Sequence, residues 1–207
     1  MEKTNLKILN EVNGANEVIF EYSKKVMDEV KNPVAVLMGI AYGGEVEGIA
    51  TMWKSGKVYG FDTFEDKHPS HLSSNVDSFP ARCMDHWYNH KDYGTDELKY
   101  EYQRGVLDSL GLDNAILIKG EVNKDSCKDI EKIDLAFLDM DMVESMRVGF
   151  EAVKDKMSSG GYLFLHDCQN IGEVGDWCRK VVENDKRFKK IGTWDRELLT
   201  GFQYESI

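Results

Sequence analysis

The chain lacks most features that would take it to a membrane or a nucleic acid. No apolar run approaches the length of a bilayer span, and Met1-Glu2-Lys3-Thr4-Asn5 has no apolar signal core. No block of lysine and arginine offsets the formal net charge of -11. That balance argues against a nucleic-acid backbone or an anionic membrane as the main partner. The four cysteines, Cys83, Cys127, Cys168 and Cys178, are scattered and form no C-x-x-C pair, so a reduced, cytoplasmic protein is the simplest reading. There is no internal repeat and no sign of a second domain. With 207 residues, 42% of them hydrophobic and 30% charged, one soluble domain over 1–207 is expected.

What the chain does have is alternation. An amphipathic helix is expected from about Ile8 to Val30, stopped by Asn32-Pro33. Val34 to Met38 is a short continuous apolar run, the pattern of a strand buried on both faces. Gly39 to Gly44 then forms a tight turn into a helix from Glu45 to Lys54, and a second strand runs from Lys57 to Asp62. A helix from Asp96 to Leu110 precedes a third strand, Ala115 to Lys119. Strand four, Ile133 to Leu138, is followed by a helix from Met142 to Met157. A Ser158-Ser159-Gly160-Gly161 turn leads to strand five, Tyr162 to Leu165. A helix from Ile171 to Asn184 follows, and the pair Phe188 to Trp194 and Leu198 to Tyr204 closes an antiparallel hairpin through Asp195-Arg196-Glu197. Repeated strand-helix units of this kind build a doubly wound α/β sheet with right-handed crossovers.

Chemistry concentrates where strands four and five end. The first runs into Asp139-Met140-Asp141 and the second into His166-Asp167. In a parallel sheet, ligands gather at the carboxyl ends of the strands. Three carboxylates and an imidazole around one crevice can hold a hard divalent cation: Mg²⁺ on carboxylates alone, Mn²⁺, Fe²⁺ or Zn²⁺ if His166 is a ligand. His166 has two other readings, a general base or a hydrogen-bonded strand-end histidine. Asp141 is either a crevice ligand or the N-cap of the next helix. At the other strand ends, the glycines of Gly39-Ile40-Ala41-Tyr42-Gly43-Gly44 allow close backbone approach, and the helix beyond offers unpaired N–H groups to an anion. Asp62 ends the next strand 23 residues after Gly39, near the spacing that holds ribose hydroxyls in nucleotide-binding α/β folds.

Together these segments resemble the class I S-adenosylmethionine-dependent methyltransferases, most closely the macrolide-sugar O-methyltransferase branch and more loosely catechol O-methyltransferase. The family's apolar strand and Gly-x-x-x-Gly-Gly look like Val34 to Gly44, and its second-strand acid looks like Asp62-Thr63-Phe64-Glu65. Its D-x-D and E-S helix start look like Asp139 to Ser145, and its Gly-Gly and acid around strand five look like Gly160-Gly161 and His166-Asp167. Three positions depart from the pattern. Leu37 and Met38 stand where an acid often ends strand one, His166-Asp167 stands for two adjacent acids, and Asp167-Cys168 stands for the catechol enzyme's Asp-Asn. The resemblance implies a Rossmann-like sheet of order 3-2-1-4-5-7-6 and S-adenosylmethionine as cofactor. Gly39, Ala41, Tyr42, Gly43 and Gly44 would line its methionine moiety, Asp62 would hold its ribose, and Thr63, Phe64 and Asp139 would complete the pocket. It also implies Mg²⁺ or Mn²⁺ at Asp139, Asp167 and His166, with Asp139, His166 and Asp141 serving catalysis.

Residues 65–95 break the alternation. They hold Pro69, Pro80, Trp87, Tyr88, Tyr93 and four of the five histidines, and so long an aperiodic stretch reads as a lid or acceptor-binding insertion, or as a surface excursion packed on the domain. Within it, Cys83, His86 and His90 have the spacing to share a zinc on one helix face, a pattern that also arises by chance. The expected reaction is methyl transfer to oxygen of a small-molecule acceptor. A nucleotide-sugar glycosyltransferase using Asp139-Met140-Asp141 is the alternative, ahead of a dinucleotide oxidoreductase and a non-catalytic binding module. Neither nucleic acid nor membrane is expected as partner; a homodimer is compatible with the sequence, which does not decide oligomeric state.

Overall fold

The computed structural model describes residues 14–40, 43–64, 96–140, 142–168, 172–194 and 199–206. The expected start of the first helix (8–13), the 65–95 insertion and the 195–197 hairpin turn lie outside them. The elements are α1 (Gly14–Glu29), β1 (Val34–Met38), α2 (Gly44–Met52), β2 (Lys57–Asp62), α3 (Asp96–Ser109), β3 (Ala115–Lys119) and β4 (Ile133–Leu138). Then come α4 (Val143–Val153), β5 (Met157–Leu165), α5 (Gly172–Trp177), β6 (Phe188–Trp194) and β7 (Leu199–Tyr204).

The strands form one sheet in the order β3-β2-β1-β4-β5-β7-β6, the order expected. The first five run parallel, and β7 is antiparallel to both of its neighbours. The period of two in β1 splits its side chains between two cores. Ala35 and Leu37 pack with Ile19 of α1 and Val46 and Ile49 of α2. Val36 and Met38 pack on the opposite face with Met146 and Phe150 of α4 and Trp177 of α5. All six residues of β4 are buried, which is why that strand reads as an unbroken run. Its one charged residue, Asp134, is satisfied by the Val34 N–H at 2.9 Å and the Lys132 ammonium at 3.2 Å. Trp53, fully buried, donates its indole N–H to the Ser23 carbonyl at 2.9 Å and so ties α2 to α1.

Two expected boundaries shift. The helix after β4 ends at Val153 and tightens into a 3₁₀ turn at Lys154–Lys156, short of Met157. The expected Ser158-Ser159-Gly160-Gly161 turn is a bulge inside β5, since Met157 already pairs with Ile133 and Tyr162 with Leu135. Gly160, at φ +86°, supplies the left-handed backbone that lets the extra residues loop out. Among the described residues no helix is long and apolar enough to cross a membrane, and Cys127, Cys168 and Cys178 are free and buried.

The point where β1 ends allows no side chain. Gly39 has φ +78°, and a Cβ there would lie 1.7 Å from the Asp139 carbonyl oxygen. Gly39→Ala is therefore expected to cost about 3 kcal/mol or more, because backbone rather than a flexible side chain must give way. Calorimetric melting of the variant tests this, with an unchanged Tm as the contrary result.

Candidate active site

The hydrogen-bond ladder continues one residue past the strands. The N–H of Gly39 donates to the Phe61 carbonyl, that of Asp139 to Met38, and that of His166 to Leu138, each at 2.9 Å. The residues that follow β1, β4 and β5 are thus set side by side along the carboxyl edge of the sheet. No side-chain contact is needed to align them.

Asp139, His166 and Asp167 converge there, with one ligand atom from each lying within 4.8 Å of the others. His166 Nδ1 is 3.1 Å from Asp139 Oδ1 and 3.4 Å from Asp167 Oδ1. Neither oxygen lies in line with the ring N–H, so buried Nδ1 makes no directed hydrogen bond. These are charge contacts. Burial alone would lower the imidazole pKa, but Asp139 and then Asp167 reverse the effect and push it up to about 11. In the free chain the two carboxylates thus favour the charged imidazolium form of His166. Asp167 is held at φ +58°, a left-handed conformation uncommon for a non-glycine residue and associated with functional sites. One imidazole nitrogen and two carboxylates, with the nitrogen lacking a directed partner, fit a divalent cation of the Mn²⁺, Fe²⁺ or Zn²⁺ type.

The glycine turn flanks this cluster. Gly43, in the left-handed region at φ +68°, caps α2, and a Cβ there would meet Gln103 Oε1 of α3 at 2.6 Å. Ala41 and Tyr42 lie outside the described residues. One strand over, Asp62 Oδ1 accepts the Phe64 N–H at 2.8 Å, and this Asx turn carries Phe64 into φ +52°. The Phe64 ring is 2% exposed and packs edge-on to Tyr100, with centroids 5.2 Å apart. Its ring belongs to the core on that face of the sheet. Thr63 is half-buried beside it.

Two neighbours of the cluster carried no recognised signal in the sequence. Glu45, in the first turn of α2, is half-buried and feels the charges of both Asp139 and His166. Burial raises its carboxyl pKa, while its own backbone N–H and Asn16, buried near the start of α1, pull it back down. An acid following Gly-Gly is the signal that was available, although the helix dipole alone favours acids there. The N-cap of α4 is Met142, not Asp141 as one reading of the sequence had it. Asp141 lies outside the described residues, as do Cys83, His86 and His90.

No family model matches the chain, and no curated protein matches it in sequence. Solved structures do. The O-methyltransferase NovP superposes with a TM-score of 0.70 at 17% identity, over 92% of this chain and 79% of its own. CalS11, a calicheamicin methyltransferase, gives 0.70 at 15% identity over 100% and 88%. The fold is that of the Rossmann-like methyltransferases. A third methyltransferase-fold structure, SMU.1697c of Streptococcus mutans in complex with S-adenosylhomocysteine (SAH), gives 0.62 at 13% identity over 93% and 99%.

If the cluster holds a cation, chelator-dialysed protein should bind Mn²⁺ at one site, followed by calorimetry or by loss of the free-ion paramagnetic signal. Asp139→Asn and Asp167→Asn should each weaken that binding at least tenfold, about 1.4 kcal/mol. Equal affinity in wild type and both variants would place the ion elsewhere.

Proposed function

We propose that this protein is an S-adenosylmethionine-dependent methyltransferase acting on an oxygen of a small polar acceptor, with a divalent cation at Asp139, His166 and Asp167. The observation that carries this reading is the convergence of those three side chains at neighbouring strand ends, beside a glycine turn, in a methyltransferase fold. The cofactor supplies an electrophilic methyl group, and a cation there would lower the pKa of an acceptor hydroxyl and fix its orientation. Acceptor oxygen attacks the methyl carbon as the carbon–sulfur bond breaks, so alignment provides much of the acceleration.

The chain's own residues divide the work. Gly39 and Gly43 let the turn that would line the methionine moiety pass close to the Asp139 backbone and Gln103. Asp62, which accepts the Phe64 N–H at the end of β2, would hold the ribose. Asp139, with 31% of its side chain exposed, is the least buried of the three cluster residues and the one placed to pass the acceptor proton towards solvent. His166 holds the two acids together, as an imidazolium in the free chain or as a ligand when a cation displaces its proton. CalS11 is a TDP-rhamnose 3'-O-methyltransferase, which supports a hydroxyl-bearing small molecule as acceptor class. The net charge of -11 weighs against a nucleic acid.

A nucleotide-sugar glycosyltransferase is not favoured, because the sheet order is that of the methyltransferases. Thermal melting separates the two. SAH at a hundredfold excess over its Kd should stabilise by about 2.7 kcal/mol, which for a domain of this size raises Tm by roughly 5 to 10 °C. A nucleoside diphosphate with Mn²⁺ should add nothing beyond Mn²⁺ alone; the reverse pattern would overturn the proposal.

Asp62 provides a second test. Asp62→Ala should weaken SAH binding by about 2 to 4 kcal/mol, from two hydrogen bonds to a charged group at roughly 1.5 to 3 each, less what the remaining contacts recover. Asp62→Asn keeps an acceptor for the Phe64 N–H and should lose less. Unchanged affinity in both, measured by calorimetry, would remove Asp62 from the cofactor site.

A further inference from the structure

Strand β6 carries a one-residue bulge that re-aims its last side chain. Lys190 pairs with Phe202 but Gly192 pairs with Gly201, so Ile191 is left over. In unbroken register Thr193 would stand opposite Leu199; the bulge puts Trp194 there instead. A shift of one residue moves a side chain to the other face of a sheet, and such bulges concentrate beside active sites. Phe188, before the bulge, packs in the core shared with α4 and α5. Trp194, after it, packs against the opposite core, that of α1 and α2.

Two glycines complete the seat of that indole. A Cβ at Gly192 would lie 2.5 Å from its Cζ2, and one at Gly201 2.9 Å from its Cζ3. The ring therefore lies across both strands of the hairpin, over a cross-strand pair from which both side chains are missing. Glycine inside a strand weakens it and marks the close approach of another group. Phe164 of β5 backs the indole at 6.1 Å between centroids, and Tyr22 of α1 meets it edge-on at 6.0 Å. Trp194 is nevertheless only half-buried, whereas Trp53 is fully enclosed. A bulge and two glycines thus serve one partly exposed ring, which a plain core position does not require.

Position gives the ring a use. Leu165 pairs with Thr200, and the same register carried one residue further sets Leu199 beside His166. His166, Leu199 and Trp194 stand in one row across β5, β7 and β6 at the carboxyl edge of β5, about 9 to 10 Å from first to last. The imidazole is on the same face as the indole, because it packs edge-on to Phe137, a residue of the α1–α2 core. In the sheet order, the glycine turn and Asp62 follow β1 and β2, on one side of the cluster at β4 and β5. The β7–β6 side is the flank left for the acceptor.

We propose that Trp194 is the residue that selects the acceptor: its indole stacks on the apolar face of an uncharged ring that carries the reactive hydroxyl at its rim. The inference rests on the methyltransferase reading above and deepens it by naming the shape of the acceptor. Aromatic side chains take up flat apolar surfaces, and a few polar groups beside them fix orientation. Here those polar groups are Asp139, His166 and Asp167, along the row from the indole. Their carboxylates disfavour an anionic ring. A sugar ring and a phenol share the required chemistry.

The experiment follows the indole N–H signals of the four tryptophans by NMR in SAH-saturated protein, with the Trp194 signal identified by its loss in Trp194→Phe. Three probes are titrated: methyl α-glucopyranoside, catechol, and glycerol, which has hydroxyls but no ring face. The expected result is a saturable shift of the Trp194 signal with at least one ring probe, none with glycerol, and no movement of buried Trp53 and Trp177. Which ring moves the signal tells a sugar from a phenol. Affinity for that ring, read by saturation transfer, should fall about fivefold or more in Trp194→Leu, close to 1 kcal/mol and the size of an aromatic contact. SAH affinity should stay unchanged. Gly192→Ala, which keeps the indole but disturbs its seat, should lower ring affinity in the same selective way; it carries the test should Trp194→Leu fail to fold. A Trp194 signal that no ring probe moves overturns the assignment, as does one that glycerol moves equally. Variants that melt lower yet bind the ring as wild type does would make Trp194 a core residue and overturn it too. A wild-type protein that does not bind SAH would instead overturn the methyltransferase reading and this assignment with it.

Discussion

The close passage of two backbones at the centre of the sheet sets everything else. Where β1 ends, Gly39 lies so near the Asp139 carbonyl that no side chain fits between them. That contact lets the β1–β4 ladder run one residue beyond the strands, and the β4–β5 ladder does the same at His166. The candidate site is a by-product of this register. Asp139 and His166 are adjacent because their amides occupy successive rungs, and Asp167 is turned back towards them by its left-handed backbone. Strain at Asp167 is tolerated because β5 is locked on both sides, by β4 and by β7.

Charge is the second constraint. Burial and the field of neighbouring acids make the crevice costly to maintain without cations, and among the described residues one imidazolium stands beside three carboxylates. The apolar cores above and below contribute no compensating charge. Such an arrangement is understandable as a site that trades folded stability for ligand recognition. A divalent ion at Asp139 and Asp167 would relieve part of that excess.

The fold was readable in the sequence because its central strands are buried on both faces. Val34 to Met38 and Ile133 to Leu138 are short apolar runs whose ends are marked by glycine or acid, and no helix of comparable length competes for them. The position of β7 between β5 and β6 is different: periodicity carries no sheet order, and only the family resemblance supplied it. Ser158 to Gly161 misled because Ser-Ser-Gly-Gly has turn chemistry, whereas Met157 before it already pairs with β4. At the site, Asp139, His166 and Asp167 were legible as strand-end residues. Glu45 was hidden by a local rule, since an acid in a first helical turn needs no further reason.

The most direct measurement of the central claim is a crystal structure of the protein soaked with SAH and Mn²⁺, with anomalous scattering recorded to locate the metal. The account predicts SAH lying across the carboxyl ends of β1 and β2, its ribose at Asp62, its methionine moiety at the Gly39–Gly44 turn, and one anomalous peak among Asp139, His166 and Asp167. A crevice that stays free of both, or Mn²⁺ bound with a diphosphate in place of SAH at those strand ends, would contradict it.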